Sequence, residues 1–184
     1  MILPLSYYGS SILREKVNPV THFDEPLQHL ASDMVETMHA ESGIGLAGPQ
    51  VGKNMRIFVM EIPADMDLDE HGHRMNPFLN GPLVAINPDV EGVGDVVEEA
   101  EEGCLSIPDI RGMVERPYQV RMRFQDLKGS PHDVMLSGLA ARCAQHETDH
   151  LNGILFVDYL GSVKKMAIKG KLKKLKARTL DASA

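Results

Sequence analysis

His146-Glu147-Thr148-Asp149-His150 sets two imidazoles four residues apart, with a carboxylate beside the first. On a helix, residues at that spacing stack on one face. Two histidines and an adjacent carboxylate are the makings of a hydrolytic metal site. Such a site takes three protein ligands and keeps one position for water. In the common proteases with this motif the third ligand, Glu or His, follows further along the chain. Here neither residue type occurs after His150, and the only later acids are Asp158 and Asp181. The third ligand is therefore upstream, or it is Asp158. Among upstream candidates Cys104 stands out, because Glu102-Gly103-Cys104-Leu105-Ser106-Ile107-Pro108 puts a thiol between a glycine and a short apolar segment. There the chain can approach a helix closely. The competing reading of an isolated cysteine is a small buried hydrophobe.

These residues need elements to hold them. Ser137 is placed to cap a helix running through His146, and Asn152-Gly153 to end it. Tyr118 to Phe124 alternates, with Val120, Met122 and Phe124 on one side and Arg121 and Arg123 on the other. With the turn Asp126-Leu127-Lys128-Gly129-Ser130 and the stretch His132 to Leu136, it predicts a β-hairpin. Asp24-Glu25-Pro26 marks a helix start, and Leu27, Leu30, Met34 and Met38 recur at helical spacing up to Glu41-Ser42-Gly43. Met55 to Ile62 reads as a strand, and Leu83 to Ile86 as a short one stopped by Asn87-Pro88. Val90 to Val97 reads as another, interrupted by Gly92 and Gly94. Pro63 to Asn80, polar and without periodicity, reads as a surface loop with solvated His71 and His73. Glu98, Glu99, Glu101 and Glu102 form an acidic cluster before Cys104. A last helix at about 162–178, capped by Ser162, carries Val163, Met166, Leu172 and Leu175 on its inner side. Helices segregated from largely antiparallel strands make the fold α+β.

A length of 184 residues predicts one domain spanning 1–184. Cys104 and Cys143 are the only cysteines and show no disulfide spacing, which points to a reducing compartment. Met1 to Tyr8 lack a basic start and an apolar run, and no stretch approaches the roughly 20 apolar residues of a membrane span. The expected location is cytoplasmic. The formal charge of −7 conceals an asymmetry. Eight of the 19 basic residues follow position 163, against one acid, so eleven bases and 25 acids precede it. Such a basic arm is either a solvated helix face or an attachment to an anionic partner such as RNA.

Gly43-Ile44-Gly45-Leu46-Ala47-Gly48-Pro49-Gln50, Glu102-Gly103-Cys104-Leu105-Ser106 and Gln145-His146-Glu147-Thr148-Asp149-His150 occur in the order of three signature segments. They are those of the peptide deformylase family, which this chain resembles over nearly its whole length. The first segment also satisfies the dinucleotide pattern Gly-x-Gly-x-x-Gly. It follows a helix instead of a strand, and Pro49 comes directly after it, so the Rossmann reading fails on context. The resemblance implies sheets packed around a central metal-binding helix, with a basic C-terminal helix. It implies a hydrolase that removes the N-formyl group from the formylmethionine of new polypeptides and releases formate. Cys104, His146 and His150 would bind one divalent metal, Fe²⁺ physiologically, replaceable by Ni²⁺, Co²⁺ or Zn²⁺. Glu147 would be the general acid and base, with the Gln50 side-chain amide and the Leu105 N–H as oxyanion donors.

The implied substrate, a nascent N-formyl-methionyl peptide, wants an apolar pocket for methionine. Gly45, Leu139, Cys143 and the stem of Arg142 are its candidates, since Leu139, Arg142, Cys143 and His146 recur at helical spacing. The same spacing serves plain core packing. Arg111, seven residues after Cys104, matches a position associated with peptide binding; its plain alternative is a solvated loop arginine. Gly48 stands where the family commonly has alanine and is expected to add backbone freedom beside Gln50. The ribosome is the partner implied for the basic helix. Two rival functions are a general metalloprotease, opposed by the missing downstream ligand, and a non-catalytic ribosome-associated protein with a structural metal, opposed by Glu147 and Gln50.

Overall fold

The computed structural model describes residues 1–181, so the last three of the expected 1–184 domain lie outside the described residues. In chain order the elements are α1 (Glu25–Ala40), β1 (Gly45–Ala47), β2 (Ile57–Met60), β3 (Leu83–Gly92), β4 (Val97–Cys104), β5 (Ile107–Pro117), β6 (Gln119–Gln125), β7 (Pro131–Ser137), α2 (Gly138–Leu151) and α3 (Ser162–Asp181). An antiparallel sheet of order β1-β2-β3-β6-β7 lies beside a separate antiparallel hairpin, β4-β5. Among the described residues no helix is long and apolar enough to cross a membrane.

Alternate residues of β2 go to opposite layers. Ile57 and Val59 pack with Leu27, Met34 and Met38 of α1, while Phe58 and Met60 pack with Ala140, Cys143 and Ala144 of α2. A strand covered on both faces reads as a continuous apolar run, which is why Ile57-Phe58-Val59-Met60 has no polar member. Asp24 caps α1 by accepting from the Leu27 N–H at 3.1 Å, with Pro26 in the first turn, as its sequence predicts. Gly153, in the left-handed region at φ 74°, lies just beyond α2.

Several local expectations are corrected. Asn87-Pro88 does not stop a strand, because β3 runs through it with a register shift between Ile86 and Asp89. The bulge removes Pro88 from the ladder, where it has no N–H to give. Asn87, at φ 50°, is held by its side chain, which accepts from the Val20 N–H and donates to the Val20 carbonyl and Gln125 Oε1, all at 2.8 Å. The acidic run Glu98 to Glu102 is a strand, β4. Ser137 precedes α2 without a side-chain cap; its Oγ accepts from Gln119 Nε2, and its backbone N–H and carbonyl are taken by Asn76. The same Asn76 donates to Asp67 Oδ1, and Arg74 Nε donates to Asp67 Oδ2, so a buried carboxylate ties the Pro63–Asn80 loop to the start of α2.

The inner side of α3 also differs. Val163 and Met166 are 79% and 73% exposed, whereas Ile168 is buried and Leu172 and Leu175 pack beside it. These join Leu13, Ile107, Ile110, Val114 and Phe156 in a cluster that partly buried Cys104 adjoins. Nor does Gly48 serve freedom. A Cβ there would stand 2.7 Å from the Met55 carbonyl oxygen, so glycine is needed for close backbone approach.

Candidate metal centre

The β4-β5 hairpin packs against α2. From the hairpin comes Cys104, whose Sγ lies 3.3 Å from His150 Nε2. One donor atom from each of Cys104, His146 and His150 falls within 4.8 Å of the others. Among the described residues this is the one group of three or more such side chains that converges to hold an ion. A thiol with two imidazoles, four residues apart on one helix, suits a borderline-soft divalent metal. The donor set therefore fits a divalent ion of the kind that the family resemblance implies. His146 presents Nδ1 to Glu102 Oε2 at 2.9 Å, a carboxylate partner that fixes ring orientation and tautomer. Burial works against the carboxylate of Glu102, but hydrogen bonds from His146 and Arg116 override it and hold its pKa at about 2. Burial equally disfavours a charged His146, yet its bonds to Cys104 and Glu102 push its pKa well up. His150, one turn on, is pushed well down by burial and by the charges of His146 and Arg116.

Glu147 is buried, and burial raises its pKa to about 7. Its Oε2 has no hydrogen-bond partner among the described residues. Gly45 explains how the carboxyl fits: a Cβ at Gly45 would collide with Glu147 Oε1 and stand 2.8 Å from Cys143 Sγ. The thiol of Cys143 lies 3.5 Å from the Ile44 carbonyl, and burial pushes its pKa well up, as expected of an inert thiol. Gln50 is buried and oriented at both ends. Its Oε1 accepts from the Ala47 N–H at 2.7 Å, which turns Nε2 toward Cys104 Sγ (3.5 Å) and Ser106 Oγ (3.3 Å). Leu105 occupies the turn between β4 and β5, its side chain beside Gly43. Three stretches far apart in sequence thus bring a thiol, two imidazoles, a carboxyl and a primary amide to one place.

The sequence profile of the family described as polypeptide deformylase matches residues 2–166. The chain belongs to the peptide deformylase family. It is 42% identical over 176 residues to the peptide deformylase of Salinibacter ruber, with 95% of this chain and 89% of that one covered. Its fold is similar to the crystal structure of the Plasmodium falciparum peptide deformylase, at TM-score 0.83 and 35% identity over 97% of this chain and 98% of that one. A Synechococcus elongatus peptide deformylase solved in complex with actinonin matches at TM-score 0.78 and 38% identity, covering 92% and 85%. Members are metal-dependent hydrolases that remove the N-formyl group from new polypeptides.

Within this deformylase fold the remaining expected residues separate. Gly45 and Cys143 adjoin Glu147, whereas Leu139 is half-buried against the core between α2 and the sheet. Arg111 lies opposite Gly103 in the β4-β5 ladder, exposed, with Glu101 3.8 Å away. Arg142 is buried on α2. Its head group turns to the hairpin, where Nη1 donates to Glu102 Oε1 and Nη2 to the Glu98 carbonyl. Sequence reasoning missed Glu102, Arg116 and Asp149 as parts of the site. Arg116 donates to both oxygens of Glu102, at 2.6 and 3.0 Å, and to Asp149 Oδ2 at 2.8 Å. One signal was available: Glu102 stands two residues before Cys104, and on a strand such residues share a face. Arg116 left none, because its approach to Glu102 depends on the hairpin register.

Proposed function

We propose that this deformylase cleaves the N-formyl-methionyl end of nascent polypeptides at a centre where Cys104, His146 and His150 hold one divalent ion, Fe²⁺ in the cell. The observation that carries the reading is the convergence of those three donors beside Glu147 and Gln50. Bound there, the ion would supply Lewis acidity and bring the pKa of water from 15.7 to about 7. Glu147, buried and with a pKa near working pH, takes a proton from the attacking water and returns one to the leaving amine. As the formyl carbon becomes tetrahedral its oxygen gains negative charge, and Gln50 Nε2, held by the Ala47 N–H, donates to it together with the Leu105 N–H. The methionine side chain lies along Gly45, Leu139 and Cys143, and Arg111 meets the peptide beyond it.

The test is anaerobic purification with elemental analysis, followed by assay on a formyl-methionyl peptide and on its unformylated counterpart. Glu147→Ala should retain one metal per chain and lose about 10²–10⁴-fold in turnover. Equal turnover in variant and parent would sink the mechanism.

We further read the chain as a single cytoplasmic catalytic domain that docks on the ribosome through α3. Lys169, Lys173 and Lys174 are exposed on that helix, and counterion release from RNA makes such binding salt-dependent. Deleting the helix would be a confounded test, since Ile168, Leu172 and Leu175 belong to the cluster that Cys104 adjoins. Reversing Lys169, Lys173 and Lys174 to Glu should weaken ribosome binding and flatten its salt dependence, with turnover of a short formyl peptide unchanged. An affinity indifferent to both salt and charge reversal would remove the electrostatic docking.

A further inference from the structure

Glu102 and Cys104 are two residues apart on β4 and both meet α2; Arg142 and His146 are four apart on α2 and both meet Glu102. The β4-β5 register shifts between Gly103 and Cys104, and on either side of that shift Glu102 sits against Arg142 and His146 while Cys104 sits against His150. The Arg142 guanidinium locks that register. Its Nη1 donates to Glu102 Oε1 and to the Val114 carbonyl, each at 2.9 Å, and its Nη2 to the Glu98 carbonyl at 2.6 Å. One buried side chain of α2 thereby grips β4 at two residues and β5 at one. Arg116 belongs to the hairpin itself and reaches α2 through Asp149.

We propose that Arg142 is a positioning residue for the metal centre: by holding Glu98, Glu102 and Val114 against α2, it sets the separation between the Cys104 thiol on the hairpin and the two imidazoles on the helix. The inference rests on the reading of Cys104, His146 and His150 as ligands. Without this grip the hairpin shifts relative to α2, and the three donors no longer close on one ion together. Lysine cannot replace arginine here, because a single ammonium lacks the planar fork that reaches acceptors in different directions.

The test uses Co²⁺ as probe, titrated into the metal-free chain without oxygen, with affinity taken from chelator competition and geometry from the visible spectrum. Arg142→Met, which keeps the stem, should bind Co²⁺ about 10–100-fold more weakly. Its d–d bands should change and its thiolate-to-cobalt charge-transfer band should fall. Arg142→Lys should lie between Met and parent. Cys104→Ser serves as control: if it keeps the parental charge-transfer band, the ligand reading fails and this inference with it. If the control loses the band while a folded Arg142→Met keeps parental affinity and spectrum, the positioning role alone is overturned. Should circular dichroism show Arg142→Met unfolded, Arg142→Lys decides by the same criterion.

Discussion

Two neighbouring hairpins use the same chemical pair to opposite ends. In β6-β7, Arg121 donates to both carboxylate oxygens of Asp133, with the side chains 49% and 46% exposed. In β4-β5, Arg116 donates to both oxygens of Glu102, with each side chain 5% exposed. The first pair lies in water, where the gain in Coulomb energy is small and is offset by side-chain entropy. The second is roofed by α2, and its carboxylate also meets Arg142 and His146. Burial, not pairing, makes the difference: a desolvated carboxylate cannot release one partner without leaving charge unpaired.

That contrast can be broken at three points. Removing Glu102 as Ala leaves two guanidinium groups facing each other without their carboxylate. Urea unfolding of the metal-free chain should show a loss of about 3–5 kcal/mol; a loss below 1 kcal/mol would make the buried pair no different from a surface one. On β6-β7, a double-mutant cycle of Arg121→Ala and Asp133→Ala should give a coupling of about 0–1 kcal/mol. That coupling should fade in 1 M salt, where the Debye length is about 3 Å. Persistence in salt would contradict the surface assignment. The smallest effect belongs to the turn of the same hairpin. Hydrogen bonds from His132 and from the Lys128 and Ser130 N–H groups hold the Asp126 pKa at about 2. A depressed folded pKa stabilises above the unfolded value of about 3.9, and that contribution disappears as pH falls through 2. Melting temperatures of parent and Asp126→Asn should therefore converge between about pH 4 and pH 2; parallel curves would remove Asp126 from the acid limb.

The two hairpins also differ in how far sequence discloses them. In β6 the inward set is Val120, Met122 and Phe124, and the alternation is plain. In β5 the inward positions Ile110, Gly112, Val114 and Arg116 alternate equally well, but a glycine and an arginine hide the period. Gly112 is there because Leu160 crosses it, with one methyl 3.0 Å from where a Cβ would stand, and Arg116 because Glu102 awaits it. Both reasons lie in tertiary contacts. The same holds at the candidate metal centre. The convergence of Cys104, His146 and His150 is legible because a metal site accepts few residue types at few spacings. The hydrogen bonds of the Arg142 head group to Glu98, Glu102 and Val114 were not legible, because helical spacing names the face of a residue and says nothing of where a long side chain ends.

The separation of the donors along the chain has a consequence in time. Cys104 and His150 are 46 residues apart. At the roughly 5–20 residues per second of polypeptide synthesis, Cys104 precedes His150 by about 2–9 s. During that interval the thiol has neither its imidazole neighbours nor the helix that roofs it. Each newly made molecule thus passes once through a stage in which the Cys104 thiol lacks the neighbours that partly bury it and is open to oxidants.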